Sequence, residues 1–136
     1  MIRTETSIRV RYVETDAMGF AHHGNYLSWF ELARIEMLDS IDLSYKELET
    51  AGYYLPVLGA ELKYRKPAYF DDVLTVVCYV REPPRLRIQI EYEIFREETL
   101  LATGSTNHAF INKEGRPIRP PKNFVEGFKV AIADGE

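Results

Sequence analysis

The spacing of apolar positions changes twice along the chain, and each change marks an element. Over residues 6–13, Ile8, Val10 and Tyr12 alternate with Arg9 and Arg11, a period of two that predicts a strand with one buried face. From 24 to 39 the spacing lengthens. Tyr26, Trp29, Phe30, Ala33 and Met37 recur every three or four positions, which predicts a helix with those side chains inward. Leu32 and Ile35 lie on its otherwise polar side, so the helix is expected to be covered on more than one face. Ser44 followed by Glu47 has the form of a helix cap and predicts a short helix over 45–51, ended by Gly52.

The remainder reads as strand. Residues 54–65 run toward Lys66-Pro67, and 73–81 are apolar and rich in valine. After a turn at Pro83-Pro84, Leu86, Ile88, Ile90, Tyr92 and Ile94 alternate with Arg87, Gln89, Glu91 and Glu93. A turn at Glu97-Glu98 leads to a strand over 99–111, and a terminal segment, 122–132, reads as a short helix. One strand, a long buried helix and four strands in antiparallel hairpin order give an α+β fold. Its curved antiparallel sheet would wrap the central helix in one domain spanning 1–136. A sheet covers only one side of that helix, so the other side needs a partner and a homo-oligomer is expected.

Composition narrows the function. The chain is 46% hydrophobic and 28% charged with a net charge of −4, which suits a globular protein and argues against a general grip on nucleic acid. No run approaches the roughly 18 to 20 apolar residues of a membrane span. The start, Met1-Ile2-Arg3-Thr4-Glu5-Thr6, has no apolar core of a signal peptide, and a single cysteine, Cys78, allows no internal disulfide. A cytoplasmic location is therefore expected.

Candidate chemistry gathers between Tyr12 and Tyr26. A predicted strand runs into the carboxylate of Asp16, a loop through Gly19 follows, and the helix opens near Gly24-Asn25 after His22-His23. That order sets a carboxylate close to a helix N-terminus, where unpaired N–H groups favour an oxyanion. A base or nucleophile beside an oxyanion site is the minimum equipment for cleaving an activated carbonyl. Asp16 has a plainer reading too, as the head of an Asx-turn. His22 and His23 are adjacent, and no further ligand stands at a metal-binding spacing. Cys78 sits in an apolar strand and reads as core, and His108 as structural. No Gly-x-Ser-x-Gly elbow or glycine-rich dinucleotide loop occurs.

The run Arg11-Tyr12-Val13-Glu14-Thr15-Asp16-Ala17-Met18-Gly19, with His22-His23-Gly24-Asn25-Tyr26, resembles the signature of the hotdog-fold acyl-CoA thioesterases, in the 4-hydroxybenzoyl-CoA thioesterase and YbgC-like branch. Residues 64–72 and 102–109 agree, so the resemblance covers about 5–125. It implies dimers with joined sheets, often paired into tetramers, with active sites at the dimer interface. Asp16 matches the catalytic carboxylate, and His23 the position whose backbone N–H faces the thioester oxygen. Gly24, Asn25 and Tyr26 continue the opening turn. Asn25 reads first as a helix cap and then as a substrate contact, and Tyr26 as packing or as pocket lining. Coenzyme A carries three phosphates, for which Lys63, Arg65 and Arg85 are the candidate cations. Glu31 and Arg34 lie three apart on the helix, so they pair locally or Glu31 reaches a partner's site. The implied partners are an acyl-CoA substrate and, as a second source of thioester, acyl carrier protein. No cofactor or metal is called for, since coenzyme A is part of the substrate. A non-catalytic module that binds acyl-CoA or acyl carrier protein is the alternative. A hydratase on the same fold lacks support, because no Gly-Asp-x-Asn-Pro-like signature is present.

Overall fold

The structure, a computed structural model, describes residues 1–135; Glu136, the last residue of the expected domain, lies outside the described residues. Five strands form one antiparallel sheet: β1 (Ile2–Arg9), β2 (Val57–Tyr64), β3 (Val73–Val80), β4 (Arg87–Arg96) and β5 (Thr99–Ala109). Three α-helices accompany it: α1 (Asn25–Ser40), α2 (Tyr45–Thr50) and α3 (Lys122–Asp134). The predicted stripe of α1 is the buried one, with Tyr26, Trp29, Phe30, Ala33 and Met37 inside and Leu32 exposed. Ile88, Ile90, Tyr92 and Ile94 of β4 are buried in the same core.

The helix comes close to the sheet because β5 carries a glycine at the contact. A Cβ on Gly104 would stand 2.5 Å from the Phe30 ring. With no side chain there, Phe30 lies flat on Tyr92, ring centroids 4.1 Å apart and planes 9° from parallel. Burying a phenylalanine fully contributes about 2–3 kcal/mol, so Gly104 matters through the neighbour it admits.

Three sequence expectations are corrected. The hairpin order holds for β3, β4 and β5, but the sheet order is β1-β3-β4-β5-β2, so β2 sits on the far edge beside β5. The connection from β2 to β3 therefore crosses the end of the sheet. It is held there in turn by Arg65 N–H on the Leu101 carbonyl (2.8 Å), Arg96 on the Pro67 carbonyl (3.1 Å) and Val10 N–H on the Asp72 carbonyl (2.9 Å).

The first strand runs from 2 to 9 rather than 6 to 13. Val10 is still buried, but the chain then coils into a 3₁₀ turn at Tyr12–Glu14 and leaves Tyr12 76% and Val13 80% exposed. Glu14 causes the turn by folding back onto the Arg11 N–H (2.7 Å). Leu86, read as the start of an alternating strand, lies exposed ahead of β4. The short helix behaves as read: Ser44 Oγ accepts the Glu47 N–H at 3.3 Å, and Gly52 follows with φ +92°.

Candidate active site

The loop that carries Asp16 is a small hairpin. Thr15 pairs with Ala21, the Asp16 N–H donates to the Phe20 carbonyl (2.8 Å), and the His22 N–H donates to the Glu14 carbonyl (2.7 Å). At its tip Gly19 takes φ +84°, a conformation that suits glycine. Phe20 pairs with Tyr69, and the Ala21 N–H donates to the Ala68 carbonyl at 2.8 Å, so the hairpin is fastened to the crossing segment.

Asp16 is half-buried at the head of this loop. Its Oδ1 accepts the N–H groups of Met18 (2.9 Å) and Phe20 (3.3 Å), the Asx arrangement expected as its plainer role. Its Oδ2 makes no hydrogen bond with the described residues. One oxygen thus fixes the carboxylate and the other is left over.

The opening of α1 shows the same division. The N–H groups of His22, Gly24, Asn25 and Tyr26 are taken by the Glu14 carbonyl, His22 Nδ1 (3.1 Å), the His22 carbonyl (3.0 Å) and the His23 carbonyl (3.4 Å). The His23 N–H makes no hydrogen bond with any described residue. It stands two residues ahead of a sixteen-residue helix, whose dipole adds to its preference for negative charge.

Asn25 has a different part from the cap read in the sequence. Gly24 occupies the cap position, and Asn25 is the first helical residue. Its amide donates instead of accepting, to the carbonyls of Glu14 (2.7 Å) and His22 (3.2 Å), and so ties α1 back to the loop. Tyr26 is buried, with its ring 4.7 Å from Trp29 and 4.9 Å from Tyr64, so within one chain it packs.

Two residues of the site escaped the sequence reading. Glu14 is buried and accepts from the Arg11 N–H (2.7 Å), the Arg11 guanidinium (3.4 Å) and Trp29 Nε1 (3.0 Å). Burial alone would raise its pKa, but these hydrogen bonds and the Arg11 charge outweigh it and hold the carboxyl below its ordinary value. The signal was present: a buried tryptophan needs an acceptor for its indole N–H. Tyr64 is the second. Its hydroxyl donates to the His23 carbonyl at 3.1 Å, which fixes the peptide that follows the free N–H.

The candidate phosphate-binding cations are not gathered in one place. Lys63 and Arg65 flank Tyr64 where β2 ends, but Lys63 points to the other face of the sheet, where it lines a hollow with Glu61, Glu91 and Glu93. Arg85 lies before β4, at the opposite end of the sheet, in a groove of about 1060 Å³ with Arg119, Lys122 and Lys129. The register puts Arg87 opposite Ala109 and Glu93 opposite Thr103, the neighbour of Lys63. Six residues of strand, about 20 Å, separate those levels. Exposed Tyr12, Met18, Tyr69 and Phe70 surround the Asp16 loop, an apolar surface beside a charged group. Among the described residues, no three His, Cys, Asp or Glu side chains are grouped to hold a metal ion, and no helix is long and apolar enough to cross a membrane.

Comparison with known proteins identifies the family and the fold. Residues 10–128 match the model of the thioesterase-like superfamily. The fold superimposes on a DHNA-CoA thioesterase from Staphylococcus aureus with a TM-score of 0.93, at 34% identity, covering 100% of this chain and 97% of that one. A Thermus thermophilus protein of no stated activity gives 0.90 at 34% identity, over 96% and 98% of the two chains. The acyl-CoA thioesterase YbgC of Haemophilus influenzae is 29% identical over 89% of this chain and 90% of its own. A carboxylate and an unpaired N–H at the start of a sheet-wrapped helix thus occur in a chain that belongs to the thioesterase-like superfamily, a thioester hydrolase of the hotdog fold.

Proposed function

We propose that this protein hydrolyses acyl-CoA, with Asp16 and the His23 backbone N–H as the working groups. Water and the acyl thioester give a free acid and the CoA thiol. Asp16 either takes the proton from the attacking water or attacks the carbonyl itself, and water then opens the resulting mixed anhydride. Both routes end in the same products. The carbonyl oxygen gains negative charge as the carbon becomes tetrahedral, and the His23 N–H with the α1 dipole stabilises it. One such donor contributes about 3 kcal/mol. Gly24 and Asn25 hold the turn that aims this N–H, and Tyr26 packs behind it. The observation that carries the reading is the pair of leftover groups, Asp16 Oδ2 and the His23 N–H, in a loop whose other polar groups are largely satisfied.

The site is completed by a second copy. Strand β2 is an exposed edge, with Val57 and Leu58 open, and the rings around Asp16 are exposed as well, so joining copies along β2 would cover apolar surface at both. Arg65, next to Tyr64 at the end of β2, is the cation of the same chain proposed to meet a CoA phosphate. The chemistry needs no metal or resident cofactor, and we place the enzyme in the cytoplasm.

Thiol release from short, branched, long-chain and aromatic acyl-CoAs, with the same acyl groups on acyl carrier protein alongside, tests the reading. Release from at least one acyl-CoA is expected. Release from the carrier protein alone would replace CoA as the substrate, and release from neither would overturn the proposal.

A further inference from the structure

The turn ahead of α1 is held at both ends of one peptide group. The peptide between His23 and Gly24 donates its N–H to His22 Nδ1 at 3.1 Å and accepts the Tyr64 hydroxyl on its carbonyl at 3.1 Å. The free His23 N–H belongs to the peptide immediately before, so its aim depends on how this one is turned. A Cβ on residue 24 would stand 3.3 Å from His22 Nδ1, closer than side chains ordinarily pack, so the glycine lets the imidazole close on the turn.

The two ends of this clamp differ in chemistry. Burial raises the Tyr64 phenol above its ordinary value, so that end stays a donor throughout the neutral range. The other end is an imidazole nitrogen used as an acceptor. An imidazole accepts only at an unprotonated nitrogen, so the His22 proton sits on Nε2 and the ring is neutral in this arrangement. A proton added at Nδ1 turns the acceptor into a donor facing the Gly24 N–H, and the bond is lost. Histidine is the side chain that makes this change between about pH 5 and 8.

The neighbours do not replace that bond. The His23 ring stacks on that of His22, with centroids 4.1 Å apart. The first turn of α1 carries no acidic residue, and β2 ends at Tyr64 beside the cation Arg65. On the crossing segment, Tyr69 packs against Phe20. In the hairpin the Glu14 carboxylate is taken by Arg11 and Trp29, which leaves Asp16 Oδ2 as the free anionic oxygen. An imidazolium drawn to that oxygen would occupy the base as well as release the turn. The third histidine, His108, is buried and lowered to about 4, so it stays neutral over this range.

We infer that His22 is a positioning residue for the oxyanion donor and a pH gate on turnover: neutral, it holds the His23–Gly24 peptide and keeps the His23 N–H aimed; protonated, it lets the peptide turn and the rate falls. The inference rests on the acyl-CoA reading, in which that N–H meets the thioester oxygen, and adds regulation to it. A water-exposed imidazolium attracts the oxyanion only through screened charge. A donor swung off line loses most of its bond, because hydrogen bonds weaken steeply with angle. The loss of aim therefore outweighs the gain in charge.

The test follows kcat and KM from pH 5 to 8.5 on the best acyl-CoA for wild type, His22→Asn and His22→Phe, with circular dichroism at both ends to confirm the fold. Asparagine sets an oxygen where Nδ1 stands and accepts the N–H two residues on without titrating. Phenylalanine keeps the ring and loses the acceptor. Wild-type kcat should fall about tenfold on the acid side with a midpoint of about 6.5, a part of what one oxyanion donor supplies. His22→Phe should run about tenfold slower at pH 8 with KM unchanged and show no such limb. His22→Asn should recover most of the wild-type rate at pH 8 and hold it down to the range where carboxylates protonate, roughly pH 4 to 5. His23→Asn keeps the backbone N–H and should keep the limb. The Gly24 amide resonance should shift with the same midpoint in wild type and stay still in His22→Asn, a readout that needs no substrate.

A wild type without an acid limb above pH 5.5, a limb that persists in His22→Asn, or a still Gly24 amide in wild type overturns the inference. If His22→Phe does not fold, His22→Asn and the amide resonance decide it. Absence of thiol release from any acyl-CoA overturns the acyl-CoA reading, whereas release whose pH profile is indifferent to residue 22 overturns this inference alone.

Discussion

Glu14 and Asp16 stand two residues apart in one loop, and the fold treats them differently. Glu14 is buried, and both of its oxygens are taken, by Arg11 and by Trp29. Asp16 spends one oxygen on its own loop and keeps the other. The first carboxylate has nothing left to offer a substrate and serves to set the loop against α1. The second is held in place and still free at one atom. The backbone repeats the pattern, with neighbouring N–H groups paired and that of His23 unpaired. Saturated groups position the site, and leftover groups are the ones proposed to react.

The comparison sharpens through the groups assigned to structure. The largest effect is expected on acidification. His108 has its pKa lowered to about 4 from 6.5, so between these values the unfolded chain binds more protons than the folded one. The stabilising effect of keeping it neutral is whole above about 6.5 and is lost as pH falls toward 4, on the order of 3 kcal/mol in all. Urea unfolding at pH 7 and pH 4.5 should show this loss in wild type, and His108→Gln should flatten it. An equal pH dependence in both would remove His108 from the account.

A smaller loss is expected at Glu14. Glu14→Gln sets an amide NH₂ against donors and should lower stability by about 2 kcal/mol. Trp29→Phe removes one donor and leaves the others, and about 1 kcal/mol is expected. Denaturant midpoints measure both. A Glu14→Gln protein as stable as wild type would mean that the buried carboxylate does not hold the loop.

The outline of the fold and of the candidate site was legible in the sequence and its supports were not, for physical reasons. The stripe from Tyr26 to Met37 and the alternation from Ile88 to Ile94 are local periodicities, so burial followed them directly. The placing of β2 is not local. It depends on contacts made by residues 65–72 across the end of the sheet, and no spacing encodes those. The alternation through Tyr12 misled because Glu14, a charged residue, turned inward to meet Trp29, and hydrophobic pattern alone does not anticipate a buried ion. Asparagine at the start of a helix commonly caps it, and that is the part the sequence suggests for Asn25. The carbonyls of Glu14 and His22, which make it a donor, reach it only once the hairpin closes.

The most direct measurement is kcat/KM of Asp16→Asn against wild type on the best acyl-CoA, with melting temperatures recorded on the same samples. The account predicts a loss between about 10² and 10⁴, the range for removing a general base, at an unchanged melting temperature. Turnover within a few-fold of wild type in a folded Asp16→Asn protein would contradict it and place the chemistry outside this loop.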